Sequence, residues 1–236
     1  IKNPTEKVCL EIIKEYPWLF EKMKKTPSLC LEAVRIDGSL IDYIEDKTRE
    51  MIDESFKTYG CAIQYIDNPT YEQCIHAVKL SGWALQYIED QTYEMCEIAI
   101  SNEPLSIQYV LEETNELRLK AVKRNGKSLK YIKEQTEEMC WIALKQNSSN
   151  FQYIKNQTEE MCIEAVKKDP LNFEYVQNQT EKICLEAVKQ RPLSLTLVKN
   201  QTVSICMEVL KQSPHLLNCV DPKLRKICEE KIKIEG

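Results

Sequence analysis

Cysteine is the residue type in this chain with the most latent chemistry. Eleven thiols in 236 residues could pair as disulfides, hold a metal or act as nucleophiles, and His76 and His215 could assist them. Their spacing argues otherwise. Nine of them, Cys9, Cys30, Cys74, Cys96, Cys140, Cys162, Cys184, Cys206 and Cys228, belong to one regularly recurring series, with Cys61 and Cys219 outside it. There is no C-x-x-C pair and the two histidines are far apart, so no zinc spacing is present. Nothing in the sequence assembles a nucleophile with a base, and no glycine-rich phosphate loop occurs, so the sequence predicts no catalytic residue, no cofactor and no metal. The regular series predicts cysteine as a small core hydrophobe.

The elements that must place those thiols follow from a wider repeat. Thr26, Thr48, Thr70, Thr92, Thr114, Thr136, Thr158, Thr180 and Thr202 fall 22 residues apart, and Thr5 opens the series one step of 21 earlier. A fixed period of this length marks a stack of supersecondary units, each burying its apolar face on its neighbours. Taking Thr158 to Gln179 as the model unit, positions 4, 5, 8 and 9 are Met161, Cys162, Ala165 and Val166, and their counterparts elsewhere are similarly apolar. At 3.6 residues per turn those positions form one stripe, which predicts an amphipathic helix of about ten residues. Threonine at position 1 is placed to cap it, at about 1 kcal/mol per cap.

Position 13 ends that helix, being Pro17, Gly38, Gly60, Gly82, Pro104, Gly126, Ser148, Pro170, Pro192 or Pro214. Glycine there is expected to adopt the left-handed conformation that closes a helix, and proline cannot continue one. Nine residues remain, with apolar side chains at positions 16 and 19, such as Phe173 and Val176. That i, i+3 pair favours a second short helix, although the alternation Leu193, Leu195, Leu197 would suit a strand, as in leucine-rich repeats. Position 14 is not reliably apolar and the leucine-rich pattern is missing, so the helical reading is preferred. The expected fold is an all-α, right-handed α-solenoid of about ten 22-residue helix-turn-helix repeats. They start at residues 5, 26, 48, 70, 92, 114, 136, 158, 180 and 202 of a single repeat array spanning 1–236, and a partial C-terminal capping helix covers 224–236. In that cap Ile227, Cys228 and Ile232 are retained and Lys231 replaces the usual alanine, as a terminal helix facing water requires. The chain lacks an initiator methionine and enters a unit almost at once, which predicts a trimmed piece with further repeats before it.

No stretch approaches 18 apolar residues, so no membrane span is expected. Stacked helices keep equivalent Cα atoms beyond disulfide reach, and a thiol-rich core implies a reducing, cytoplasmic setting. The sequons at Asn156, Asn178 and Asn200 then arise only because Asn-Gln precedes a capping threonine.

Charge is unevenly spread. Residues 1–117 hold 11 Lys and Arg against 22 Asp and Glu, and residues 118–236 hold 21 against 15, which together give the net charge of -5. Leu80 to Leu117 contains no basic residue, and Arg118 to Lys133 contains no acidic one. One reading is that these bands lie side by side and neutralise each other. The other is that Arg118, Lys120, Lys123, Arg124, Lys127 and Lys130 offer a surface to an acidic partner. Arg118 occupies a cysteine position, so its guanidinium must reach solvent or find a carboxylate among Glu112, Glu113 and Glu116. Trp83, Trp141, Tyr71 and Tyr93 are candidate partner-binding aromatics. The tyrosines at position 18, from Tyr43 to Tyr175, read as semi-buried packing between units.

Units such as NQTEEMCIEAVKKDPLNFEYVQNQTEKICLEAVKQRPLSL resemble the tandem repeats known as domain of unknown function 4116, abundant in large DNA viruses of amoebae. The resemblance covers essentially the whole chain and departs at Ile52 and Arg118, where cysteine is replaced. It carries no activity or site residues with it, and implies a cytosolic setting, the host cytosol or a virion, and a binding role. The function expected is a non-enzymatic scaffold that binds a protein or assembles head to tail with itself. A nucleic-acid or acidic partner on the basic C-terminal half is the alternative, against which the sequence pI of about 5.4 weighs.

Overall fold

Each threonine-led repeat folds as an α-helix followed, after one residue in all but the third repeat, by a short 3-10 helix; in the third, Lys57–Tyr59 intervene. The computed structural model describes residues 5–235; residues 1–4 and 236, the outermost positions of the predicted array and cap, lie outside it. Among the described residues there are eleven α-helices, ten 3-10 helices and no strand, the arrangement of an α-solenoid. Packing divides the chain into two compact units, residues 1–124 and 125–236, the division falling inside the sixth repeat. Within each unit consecutive helices lie side by side, for example Tyr71–Leu80 on Tyr93–Asn102, and Glu159–Lys168 on Glu181–Gln190.

The threonines act as the sequence predicts in all repeats but the first. The hydroxyl oxygens of Thr26, Thr48, Thr114 and Thr158 accept the backbone N–H three residues on, at 3.2–3.3 Å, filling one of the donors a helix start leaves free. Thr5 makes no such bond and stands as a correction.

Position 13 does something other than expected. No described glycine has a positive φ, so none closes a helix in the left-handed conformation. The α-helix ends instead at an extended residue, position 12, whose N–H still bonds back to the position-8 carbonyl, as Asp169 does to Ala165 at 3.0 Å. Position 13 is the first residue of the 3-10 helix, where proline's fixed φ is suited and its missing N–H costs nothing. At Asp37, Asn125, Asn147 and Asp169 the side chain caps this second helix by accepting the N–H two residues on, at 2.9–3.0 Å. Glycine is needed at Gly60 for clearance: a Cβ there would run into the carbonyl group of Ala77, in the helix of the next repeat.

The core is the predicted stripe. Met161, Ala165, Val166 and Phe173 are fully enclosed, and the equivalent positions repeat this along each unit. The position-18 tyrosines are half-buried as expected at Tyr65, Tyr109, Tyr131 and Tyr153 and exposed at Tyr43, Tyr87 and Tyr175, while positions 16 and 19 face the core. The final helix runs Pro222–Glu235, two residues ahead of the predicted start near Leu224. It buries Cys228 but leaves Ile227 and Ile232 exposed beside Lys231, so its outer face is not the fully polar one a cap was expected to present.

Candidate interaction surface

Several recurring polar side chains of the repeat join one repeat to the next, and this decides which are left to meet a partner. The glutamine that precedes the capping threonine in five repeats, Gln91, Gln135, Gln157, Gln179 and Gln201, is the clearest case. The amide nitrogen of Gln91 donates to the carbonyls of Leu85 (3.1 Å) and Tyr109 (2.8 Å), and its oxygen accepts the Leu111 N–H (3.1 Å). Gln135 does the same with Leu129, Tyr153 and Lys155, and Gln201 with Leu195, Cys219 and Asp221. Where present, these clasps satisfy the backbone of the extended stretch after a 3-10 helix, which has no ladder of its own. In the sequence this glutamine is visible only as a recurring Gln-Thr, preceded by Asn at three of its five sites, and nothing there reveals what it binds.

The buried thiol sits beside the clasp. Cys96, Cys140 and Cys206 lie 3.5, 3.7 and 3.6 Å from the amide oxygens of Gln91, Gln135 and Gln201. All eleven cysteines are free and all but the half-buried Cys219 are buried. Burial pushes Cys96, Cys140 and Cys162 up to about 11. Such thiols stay protonated and are poor nucleophiles. Two consequences can be measured. Alkylation at pH 8 followed by mass mapping is expected to label Cys219 first and the series cysteines only on unfolding. Because the folded state holds these thiols above the unfolded value near 9, their contribution is intact below pH 9 and lost as pH rises towards 11. Stability that rises over that interval would contradict this.

Repeat six rewrites the pair. Where repeat five and repeats seven to ten have Gln and Cys, it has Glu113 and Arg118, with the guanidinium Nε 3.5 Å from the Glu113 carboxylate and a second nitrogen donating to the Glu113 carbonyl at 3.2 Å. Both side chains are largely enclosed, 13% and 20% exposed, so Arg118 is held inside the array and is not displayed. A double-mutant cycle tests the exchange: Arg118→Cys and Glu113→Gln should each destabilise, and the double variant, which restores the regular pair, should recover, with a coupling of about 1–3 kcal/mol. Strictly additive losses in urea unfolding would refute it.

The other candidates named from the sequence are dispersed. Lys120 makes a 2.7 Å ion pair with Glu97 of the preceding repeat, which links the acidic and basic bands within the first unit. Lys123 and Arg124 are exposed at the end of the same helix, Asn115–Arg124. Lys127 and Lys130 are exposed in the second unit, the Lys130 ammonium 5.4 Å from the Tyr131 ring centre. Trp83 is half-buried and packs edge-on against Tyr109 of the next repeat at 6.0 Å. Trp141 is half-buried in the second unit and donates to Glu137 at 3.3 Å. Tyr71 and Tyr93 are exposed, and the Tyr71 hydroxyl donates to Glu94 of the following repeat. Hydrogen bonds to Glu94 and Glu116 raise these two phenols, with burial the larger cause at Tyr93. In repeats eight and nine position 2 is glutamate and makes an equivalent link, as Glu159 accepts from Thr180 at 2.6 Å and Glu181 from Thr202 at 2.8 Å.

Among the described residues no group of three His, Cys, Asp or Glu is placed to hold a metal ion, and no helix is long and apolar enough to cross a membrane. The family model described as "Domain of unknown function (DUF4116)" matches residues 114–158, from the capping threonine of repeat six to that of repeat eight, which supports the resemblance over those repeats. No curated protein and no solved structure matches the chain.

Proposed function

We propose that this chain is a non-enzymatic helical-repeat scaffold that binds another protein. On this reading all ten repeats are of the family matched at repeats six and seven, and the setting is the reducing cytoplasm, host cytosol or virion, that the resemblance implies. One observation carries the proposal. The chemically versatile residues of the repeat, its threonines, glutamines and thiols, are consumed in caps, clasps and core, while the residues that differ from repeat to repeat are the exposed ones. A rigid frame with variable exposed positions is how repeat arrays recognise partners. Raised, protonated thiols and two exposed, separated histidines support the same conclusion, because neither supplies an activated nucleophile or base.

The test is capture by the intact immobilised protein from a reducing extract, compared with a folded variant carrying Tyr71→Ala and Leu111→Ala at exposed positions. Selective, saturable retention of a protein that the variant loses supports the scaffold. Retention of nothing, or of nucleic acid alone, rejects it.

A second reading rests on the exposed Lys123, Arg124, Lys127 and Lys130. A nucleic-acid or acidic partner there would bind a labelled oligonucleotide with a steep salt dependence that Lys123→Glu plus Lys130→Glu abolishes. Head-to-tail self-assembly would give concentration-dependent sedimentation at low salt; a monomer throughout rejects it.

A further inference from the structure

Three adjoining depressions run across the extended stretches of the third to fifth repeats, of about 400, 370 and 330 Å³. The first two share Ile88 and Glu89, and the last two share Gln91 and Leu111, so they form one continuous furrow within the first compact unit. Its lining includes the apolar groups of Ile88 and Val110, and Leu111 stands 69% exposed in it. The furrow is flanked by Asp67, Glu89, Asp90 and Glu112, all exposed and none in an ion pair among the described residues. The chain supplies no cation between Leu80 and Leu117.

We infer that this furrow is the docking groove for an extended basic peptide of a partner protein, with a lysine or arginine at every third residue. This rests on the scaffold reading above and names the partner's chemistry. Charge complementarity sets the sign, since anionic nucleic acid or membrane would be repelled by an acidic stripe without cations. Geometry sets the register. Side-by-side helices repeat at about 8–10 Å, and a polyproline-II chain advances about 9.3 Å per three-residue turn, so one basic side chain per turn meets the acids of each successive repeat. Leu111, at the position where the two preceding repeats carry Asp67 and Glu89, gives an apolar contact that fixes the peptide's place along the stripe. A second copy of this chain fits less well. Its own basic band includes Arg124, Lys127 and Lys130, three residues apart, but they lie in the helices Asn115–Arg124 and Gly126–Lys130, where three residues advance only about 4.5–6 Å instead of the roughly 9.3 Å of an extended turn.

Fluorescence anisotropy on the full chain tests this with two labelled peptides of equal composition, one with Lys at every third position separated by Ala-Pro, one with the lysines contiguous. The spaced peptide is expected to bind more tightly, to weaken with salt, and to lose at least about tenfold in affinity with Glu89→Gln, Asp90→Asn and Glu112→Gln combined. Leu111→Ser, which leaves charge unchanged, should weaken the spaced peptide and spare the contiguous one. All four substitutions are at exposed positions, and circular dichroism confirms that the variants fold. Equal affinity for both peptides, or indifference to the triple variant, overturns the groove. So does a low-salt dimer that the triple variant dissolves, since the occupant is then a second copy. If the triple variant still captures a protein from extract, the groove assignment falls and the scaffold reading stands.

Discussion

Phe173→Ala is expected to cost about 3–5 kcal/mol in urea unfolding, among the largest losses a single truncation brings. Phe173 is fully enclosed in its 3-10 helix, Pro170–Tyr175, at the position that is apolar in every repeat. Removing the ring takes away its transfer free energy and leaves a void that the packed neighbours cannot fill, because the helices on either side are held in register by caps and clasps. The array gives the loss a further signature. Stability in stacked repeats is a sum of local and nearest-neighbour terms, so the void should weaken the coupling between repeats eight and nine and split the unfolding transition of the second unit. Protection from hydrogen exchange should fall first in Glu159–Lys168 and Glu181–Gln190, while the helices of repeats two to five stay protected. A loss below about 1 kcal/mol would place this side chain outside the core it is assigned to.

Gly60→Val should cost about 3 kcal/mol, at the upper end of overpacking effects. The obstacle is backbone. A Cβ at Gly60 meets the carbonyl of Ala77, and the Cβ of Leu80 lies only 3.2 Å from it, so no flexible side-chain tip can yield. The fourth repeat's helix must move outward from the third, opening the seam that Ala77 and Val78 fill. The control is Ser148→Gly at the same repeat position, half-exposed and without the glycine clearance requirement, which should change stability by less than about 1 kcal/mol. Equal effects from the two would show that position 13 is limited by conformation and not by clearance.

Charge is where linear order is least informative. The acidic and basic bands are plain in the sequence, but their proximity along the chain says little about who pairs with whom. Lys120 finds Glu97 one repeat away, and Arg118 turns back on Glu113. Asp67, Glu89, Asp90 and Glu112 of the third to fifth repeats gather on the stretches after the 3-10 helices. They lie there because positions 20 and 21 of successive repeats are stacked, a neighbourhood of residues 22 apart that no local pattern displays.

The repeat, the ten-residue helices, their threonine caps and the buried stripe were all legible in the residues themselves, because each depends on interactions within four residues or on a face that recurs with the helical period. The second element was likewise legible as a short helix from its i, i+3 apolar pair, but the role of glycine as clearance and the glutamine clasps were not. Each is fixed by a partner 17 to 20 residues away: Ala77 for Gly60, Tyr109 and Leu111 for Gln91. Local rules set what each segment can become. Only the stacking of one repeat on the next brings such distant atoms within bonding or clashing distance, and so only the tertiary structure decided which polar groups are spent on the frame and which remain to meet a partner.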